Sequence, residues 1–168
     1  MTWSLNDRSV LVTGATSGIG TVVARELAAA GAHVTITARN PEKGSATASA
    51  ITAATGVDVD VLDVDFSNLA SVRDAALRFA ETHDDLAVLV NNAGIVVGKR
   101  TQSPDGFELT FATNHLGPFL LTNMLTDLLT GSAPSRIINT SSVAHTYAKE
   151  GILFDDIGFD RRRYKFME

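Results

Sequence analysis

Thr13-Gly14-Ala15-Thr16-Ser17-Gly18-Ile19-Gly20 is the stretch on which the reading of this chain turns. It follows the β-branched apolar run Ser9-Val10-Leu11-Val12-Thr13. It precedes Ile19, Val22, Val23, Leu27 and Ala30, which recur at helical spacing as far as Gly31. The pattern predicts a strand, a glycine-rich turn and an amphipathic helix in that order. Glycines at such a turn let the backbone come close to a pyrophosphate. The helix beginning near Ile19 then aims its free N–H groups and positive dipole end at the phosphates. The spacing is Gly-x-x-x-Gly-x-Gly rather than Gly-x-Gly-x-x-Gly, and glycines alone would also suit an ordinary strand–helix turn. Their place between a buried strand and an amphipathic helix favours a dinucleotide.

Outward from this turn, short β-type and longer helical patterns alternate. Residues 33–38 alternate as a second strand, and the Ala- and Thr-rich stretch 46–54 reads as a helix. Val57, Val59 and Val61 alternate with Asp58 and Asp60, which predicts a strand with one wet face at a sheet edge. Leu69, Val72, Ala76, Phe79 and Ala80 form an apolar helical stripe, with Arg73, Asp74, Arg78 and Glu81 outside it. The continuous apolar run 86–90 predicts a central parallel strand covered on both faces. A long helical stretch over 109–129 is interrupted near Gly117-Pro118, and 136–141 is a fifth strand. After Ser142 the pattern fades into a loop-like tail, with Arg161-Arg162-Arg163 as a solvated charge run. Five such alternations define an α/β fold, a Rossmann-type doubly wound parallel sheet with helices on both faces.

Composition narrows the function. A length of 168 residues suits one domain, 1–168, and 45% hydrophobic with 20% charged residues is ordinary for a globular protein. The absence of cysteine excludes disulfide scaffolds, iron–sulfur clusters and cysteine-type zinc sites. Fourteen Lys and Arg against 19 Asp and Glu give a net charge of −5, which argues against nucleic acid as a partner. No apolar run approaches the roughly 18 residues of a membrane span. The polar start Met1-Thr2-Trp3-Ser4-Leu5-Asn6-Asp7 lacks a signal-peptide pattern, so a cytoplasmic protein is expected. His33, His83, His115 and His145 share no metal-ligand spacing and read as loop or helix-surface residues.

The glycine stretch, together with Asn91-Asn92-Ala93-Gly94 after the fourth strand, resembles the short-chain dehydrogenase/reductase family. Three further stretches resemble its branch of retinol dehydrogenases and the WW-domain oxidoreductase. They are Asp105-Gly106-Phe107-Glu108, Thr113-Asn114-His115-Leu116-Gly117-Pro118-Phe119, and Ser141-Ser142-Val143-Ala144-His145 followed by Phe154-Asp155-Asp156. The resemblance implies that Gly14, Thr16, Ser17, Gly18, Ile19 and Gly20 hold the cofactor's pyrophosphate. It also implies that Asp65 and Phe66 meet the adenine, and that Asn91, Ala93 and Gly94 line the cofactor cleft. Asp65 would equally suit the start of a helix, and Asn91 would equally serve as a tie between strand ends. Where NAD-preferring relatives carry an acidic residue, this chain has Ala38 followed by Arg39. An arginine there forks onto a 2′-phosphate, so NADP(H) is preferred over NAD(H).

The resemblance further makes Asn114 the holder of a relay water and Ser142 the hydrogen-bond partner of the substrate oxygen. The family's remaining pair is Tyr-x-x-x-Lys, in which the ammonium one helical turn on lowers the phenol's pKa. Here Tyr147 is followed four residues later by Gly151 and Tyr164 by Glu168, whose carboxylate would push that phenol upward. Neither tyrosine fits the pair. The chain is therefore expected to be the N-terminal, cofactor-binding part of an alcohol dehydrogenase or carbonyl reductase. It would lack the catalytic helix, the last strands and the substrate loop, leaving the fifth strand as an apolar edge. The complete protein would form a homo-oligomer of the family type. The alternative is a non-catalytic nucleotide-binding or interaction module. A different Rossmann enzyme, such as a methyltransferase, is disfavoured by the order of the motifs. Retinoids, steroids and simple aldehydes all stay open as substrates.

Overall fold

The computed structural model describes residues 3–165; Met1, Thr2 and Glu168, used above, lie outside them. Five parallel strands, β1 (Ser9–Val12), β2 (His33–Ala38), β3 (Val59–Asp63), β4 (Val88–Asn91) and β5 (Arg136–Asn139), lie in the order β3-β2-β1-β4-β5. The chain thus runs outward from β1 to β3 and then crosses back to β4. The crossing makes the β1/β4 boundary a topological switch point, where open α/β sheets place their ligands at the carboxyl ends of the strands. The fold is the doubly wound α/β sheet that the sequence implied.

Helices α1 (Gly18–Ala29) and α2 (Pro41–Thr55) cover one face. Their Ala24, Ala28, Ala48 and Ile51 pack on Val10, Val12, Val34, Ile36, Val88 and Val90. Small residues on both helices let them lie close to the β-branched sheet. Helix α3 (Leu69–Thr82) covers the other face with the broken helix α4 (Leu109–Phe111), α5 (Gly117–Met124) and α6 (Thr126–Gly131). There Leu11, Leu62 and Leu89 meet Val72, Phe79, Leu121, Leu125 and Leu129. Each such side chain contributes roughly 1.5–3 kcal/mol by leaving water, so both layers are needed to hold the sheet.

The structure corrects several expectations. Helix α2 begins at Pro41, not near residue 46, because Asn40 Oδ1 accepts from Lys43 N at 2.8 Å and Pro41 has its φ preset. Strand β3 is an edge strand but does not have a single wet face. Val59 packs on the α1/α2 side and Leu62 is buried on the α3 side, while Val61 is 37% exposed. In α3 the buried stripe runs through Ala75 and leaves Ala80 exposed. The interruption expected near Gly117-Pro118 takes the form of a π-helical turn, Ala112–Leu116, that ends directly at Gly117. His33 stands on β2, and His83 caps α3, stacked on Phe79 at 4.0 Å with Nε2 3.2 Å from Thr35 Oγ1. The arginine run is not wholly solvated: Arg162 lies over the Phe159 ring at 4.0 Å and 3.5 Å from Asp156. Among the described residues, strand β5 pairs with β4 alone, and its Ile137 and Ile138 are both about half exposed, 47% and 48%.

Candidate functional site

The carboxyl ends of β1 and β4 meet at Thr13 and Asn92. Buried Thr13 accepts from Asn92 N and Ala93 N, both at 2.9 Å, through its Oγ1. The Asn92 amide returns to Thr13 O at 3.1 Å and Gly14 O at 3.3 Å, and accepts from Thr140 Oγ1 beyond β5 at 3.3 Å. One side chain therefore latches three strand ends. The sequence reading passed over Asn92. Its only signal was a polar side chain directly after a buried strand, inside a motif whose other members drew the attention.

Against this latch the glycine turn fits without slack. A Cβ on Gly14 would lie 2.6 Å from Ala93 Cα, and one on Gly20 only 2.4 Å from Gly14 O. Gly18, by contrast, faces open space at φ +58°. Ser17 precedes α1 in extended conformation, yet its side chain makes no cap hydrogen bond. Ser17, Gly18 and Ile19 are exposed, with Ile19 68% so, while Thr16 is half-buried. The first turn of α1 therefore presents backbone N–H groups and a positive dipole end to open space, a geometry suited to an anion.

Arg39 leaves β2 exposed and lines a groove of about 750 Å3 together with Asp65. Asp65 Oδ1 accepts from Ser67 N at 2.9 Å and Ser67 Oγ at 2.7 Å. The capping of α3 falls instead to Asn68, whose Oδ1 accepts from Ala70 N and Ser71 N. The Phe66 side chain is buried under Gly117 in the α3 layer, so only its backbone could reach a ligand. Asn91 is buried and donates to Thr122 Oγ1 at 3.0 Å and Asn139 Oδ1 at 2.9 Å. Both its donors are spent on tying β4 to β5 and α5. Next along the cleft, a Cβ on Gly94 would meet Asn114 at an ordinary 3.5 Å.

Asn114 sits exposed in the π turn, and its amide grips Ile95 with one of its two N–H donors left over. Oδ1 accepts from Ile95 N and Nδ2 donates to Ile95 O, both at 2.8 Å. The turn is anchored upstream by buried Glu108, whose carboxylate accepts from Thr110 N and Phe111 N. Ser142 follows β5 and caps a 3₁₀ turn, Val143–Tyr147; its Oγ accepts from Ala144 N at 3.1 Å. With that lone pair occupied, its hydroxyl proton is left to be donated outward. Asn114 and Ser142 thus stand on separate arms at the same edge of the sheet.

Tyr164 is not poised as an acid. Its hydroxyl lies 3.2 Å from Val97 O and 3.1 Å from Glu108 Oε1. Burial first, and the Glu108 carboxylate with it, push its pKa above the usual phenol range despite the Thr110 hydroxyl, which lowers it. The direction matches the sequence expectation but the carboxylate responsible is Glu108. Tyr147 is 52% exposed at the end of its 3₁₀ turn. Among the described residues, no helix is long and apolar enough to cross a membrane.

Comparison with known proteins agrees with this geometry. The family model for short chain dehydrogenase matches residues 8–153. Human retinol dehydrogenase 13 is 42% identical over 158 residues, which cover 94% of this chain and 47% of the relative. The chloroplastic short-chain dehydrogenase TIC 32 B of Brassica napus is 43% identical over 163 residues, 93% of this chain and 51% of the relative. Among solved structures, an uncharacterised protein from Mycobacterium paratuberculosis superposes with a TM-score of 0.83 at 40% identity, covering 98% of this chain and 56% of that one. The Pseudomonas aeruginosa RhlG/NADP active-site complex gives 0.75 at 37% identity, over 86% of this chain and 58% of that one. The chain spans about half the length of the curated relatives it matches.

Proposed function

The chain belongs to the short-chain dehydrogenase family, and from that premise we propose that residues 1–168 form the NADP(H)-binding domain of an oxidoreductase acting on a small-molecule alcohol or carbonyl. The observation that carries the reading is the uncapped start of α1 beside Gly14, Gly18 and Gly20, a cradle open to a diphosphate. Arg39 faces the adenosine 2′-phosphate, Asp65 and the Phe66 backbone meet the adenine, and Ala93 and Gly94 floor the cleft that Asn91 and Asn92 brace. A bound nicotinamide supplies or removes the hydride. Ser142 donates a hydrogen bond from its hydroxyl to the substrate oxygen. Asn114, anchored to Ile95 by its amide, holds the relay water. The relatives' names point to a retinol-type alcohol or the matching aldehyde. A family-type homo-oligomer and a cytoplasmic setting complete the reading of the whole protein.

A second reading, a nucleotide-binding module without turnover of its own, is favoured by one observation. Neither tyrosine after Ser142 has a lysine four residues on, and Tyr164 is held by Glu108 with its pKa raised. General acid–base help is worth about 10²–10⁴-fold, and Ser142 with Asn114 supplies none near neutral pH. Fluorescence titration should show NADPH bound more tightly than NADH, with Arg39→Asp reversing the order. The 168-residue chain should give no NADPH-dependent rate with any aldehyde or alcohol. Equal affinities would remove the 2′-phosphate assignment. A clear rate would single out Tyr147 or Tyr164 as the acid, and failure to bind either nucleotide would end the proposal.

A further inference from the structure

We infer that Asp63 is a second determinant of nucleotide preference, acting against Arg39 across the adenosine end of the groove. The inference rests on reading that groove as part of the nucleotide site. Arg39, Asp63, Asp65, Asp74, Arg78 and Glu81 line it, four carboxylates to two guanidiniums. That balance is poor for a 2′-phosphate, which adds close to two negative charges near neutral pH.

Asp63 has the place from which to matter most. It is the last residue of β3 and stands in register with Ala38, the last residue of β2. Neighbouring strands are about 4.8 Å apart, so Arg39 and Asp63 leave adjacent strands at nearly one level and open into one groove. Arg78 Nη2 donates to the Asp63 carbonyl oxygen at 2.6 Å and pins the strand end. Among the described residues, no hydrogen bond or ion pair takes up the Asp63 carboxylate or the Arg39 guanidinium. Both are left to act on a ligand.

The chemistry of the two is opposed. In dinucleotide folds a carboxylate near the end of the second strand accepts from the ribose 2′-hydroxyl. Here that strand ends in Ala38, and the nearest lateral carboxylate is Asp63 on the next strand. Asp63 accepts from a 2′-hydroxyl and repels a 2′-phosphate, whereas Arg39 attracts the phosphate. The chain therefore binds both nucleotides, with the preference for NADPH held down by Asp63.

Calorimetric titration of the 168-residue chain with NADPH and with NADH tests this. Asp63→Asn should raise the NADPH-to-NADH affinity ratio about fivefold, the size of one like-charge contact in water. Asp63→Ala should move the ratio the same way. Asp60→Asn is the charge control: Asp60 is exposed on the same strand but lies outside this groove, and its loss should leave the ratio unchanged. An unmoved ratio in both Asp63 variants, with both nucleotides still bound, overturns the role of Asp63 alone. An equal shift in Asp60→Asn overturns it too, by reducing the effect to net charge. Binding of neither nucleotide to the unaltered chain overturns the groove assignment and this inference together.

Discussion

Helices α1, α2 and α3 all start at the carboxyl edge of the sheet, but α1 starts differently. Asn40 closes the first turn of α2 and Asn68 that of α3, each through its side-chain oxygen. Ser17 has the residue type and the extended backbone of a cap, yet its side chain leaves the α1 N–H groups alone. A cap satisfies orphan donors and is worth about 1 kcal/mol. Helix α1 forgoes that local stability, which leaves its donors and dipole open for the proposed nucleotide. Two helices are finished by side chains of their own, and the third is left without a side-chain cap where the proposed nucleotide site lies.

The strongest way to break this contrast is at Gly20. In a helix interior, alanine ordinarily gains about 1 kcal/mol over glycine. Here the added Cβ meets Gly14 O at 2.4 Å and Ala15 Cα at 2.9 Å, both backbone atoms. Gly20→Ala should cost about 1–3 kcal/mol in thermal unfolding, and NADPH affinity should fall about a hundredfold as the turn is displaced. A stabilised variant that still binds would show that the turn has slack.

Ser17→Asp sharpens the comparison instead of breaking it. A carboxylate at the cap should stabilise α1 by about 0.5–1 kcal/mol while weakening NADPH about tenfold by occupying and repelling its place. Stability and affinity should move in opposite directions, read by thermal melts and fluorescence titration. Parallel movement would contradict a donor set reserved for an anion. The smallest effect belongs to Asn40→Ala, which should cost about 1 kcal/mol. Its NADPH affinity should stay unchanged, because that cap serves only α2.

What could be read from the sequence follows the range of the forces involved. Strands β1, β2 and β4 and helix α3 announce themselves because burial imposes a period on neighbouring residues. Helix α1 is where the sequence puts it, but its buried face is Gly20, Ala24 and Ala28, while Ile19, Val22 and Ala30 of the expected stripe are exposed. The start of α2 was equally local, in Asn40-Pro41, but its first turn of Glu42, Lys43 and Gly44 carries no apolar stripe and so fell outside a reading by periodicity. The latch of Asn92 on Thr13 spans 79 residues and the grip of Glu108 on Tyr164 spans 56. No period reports such pairs. The one-sided reading of β3 failed for a related reason: Leu62 belongs to the far layer, and only the fold shows that α3 reaches the sheet edge.

The π turn at Ala112–Leu116 has a consequence that is best counted in residues. A π turn is an α-helix carrying one extra residue, and each residue of an α-helix turns the chain by about 100°. Removing a single residue between Phe111 and Gly117 would restore a regular helix with its phase unchanged, because the wide turn already takes up the roughly 100° that one extra residue would otherwise add. Leu121, Leu125 and Leu129, all buried in the α3 layer, would keep their places against the sheet. The extra residue is thus spent on the turn that sets Asn114 against Ile95 and not on the core, so the two can change independently.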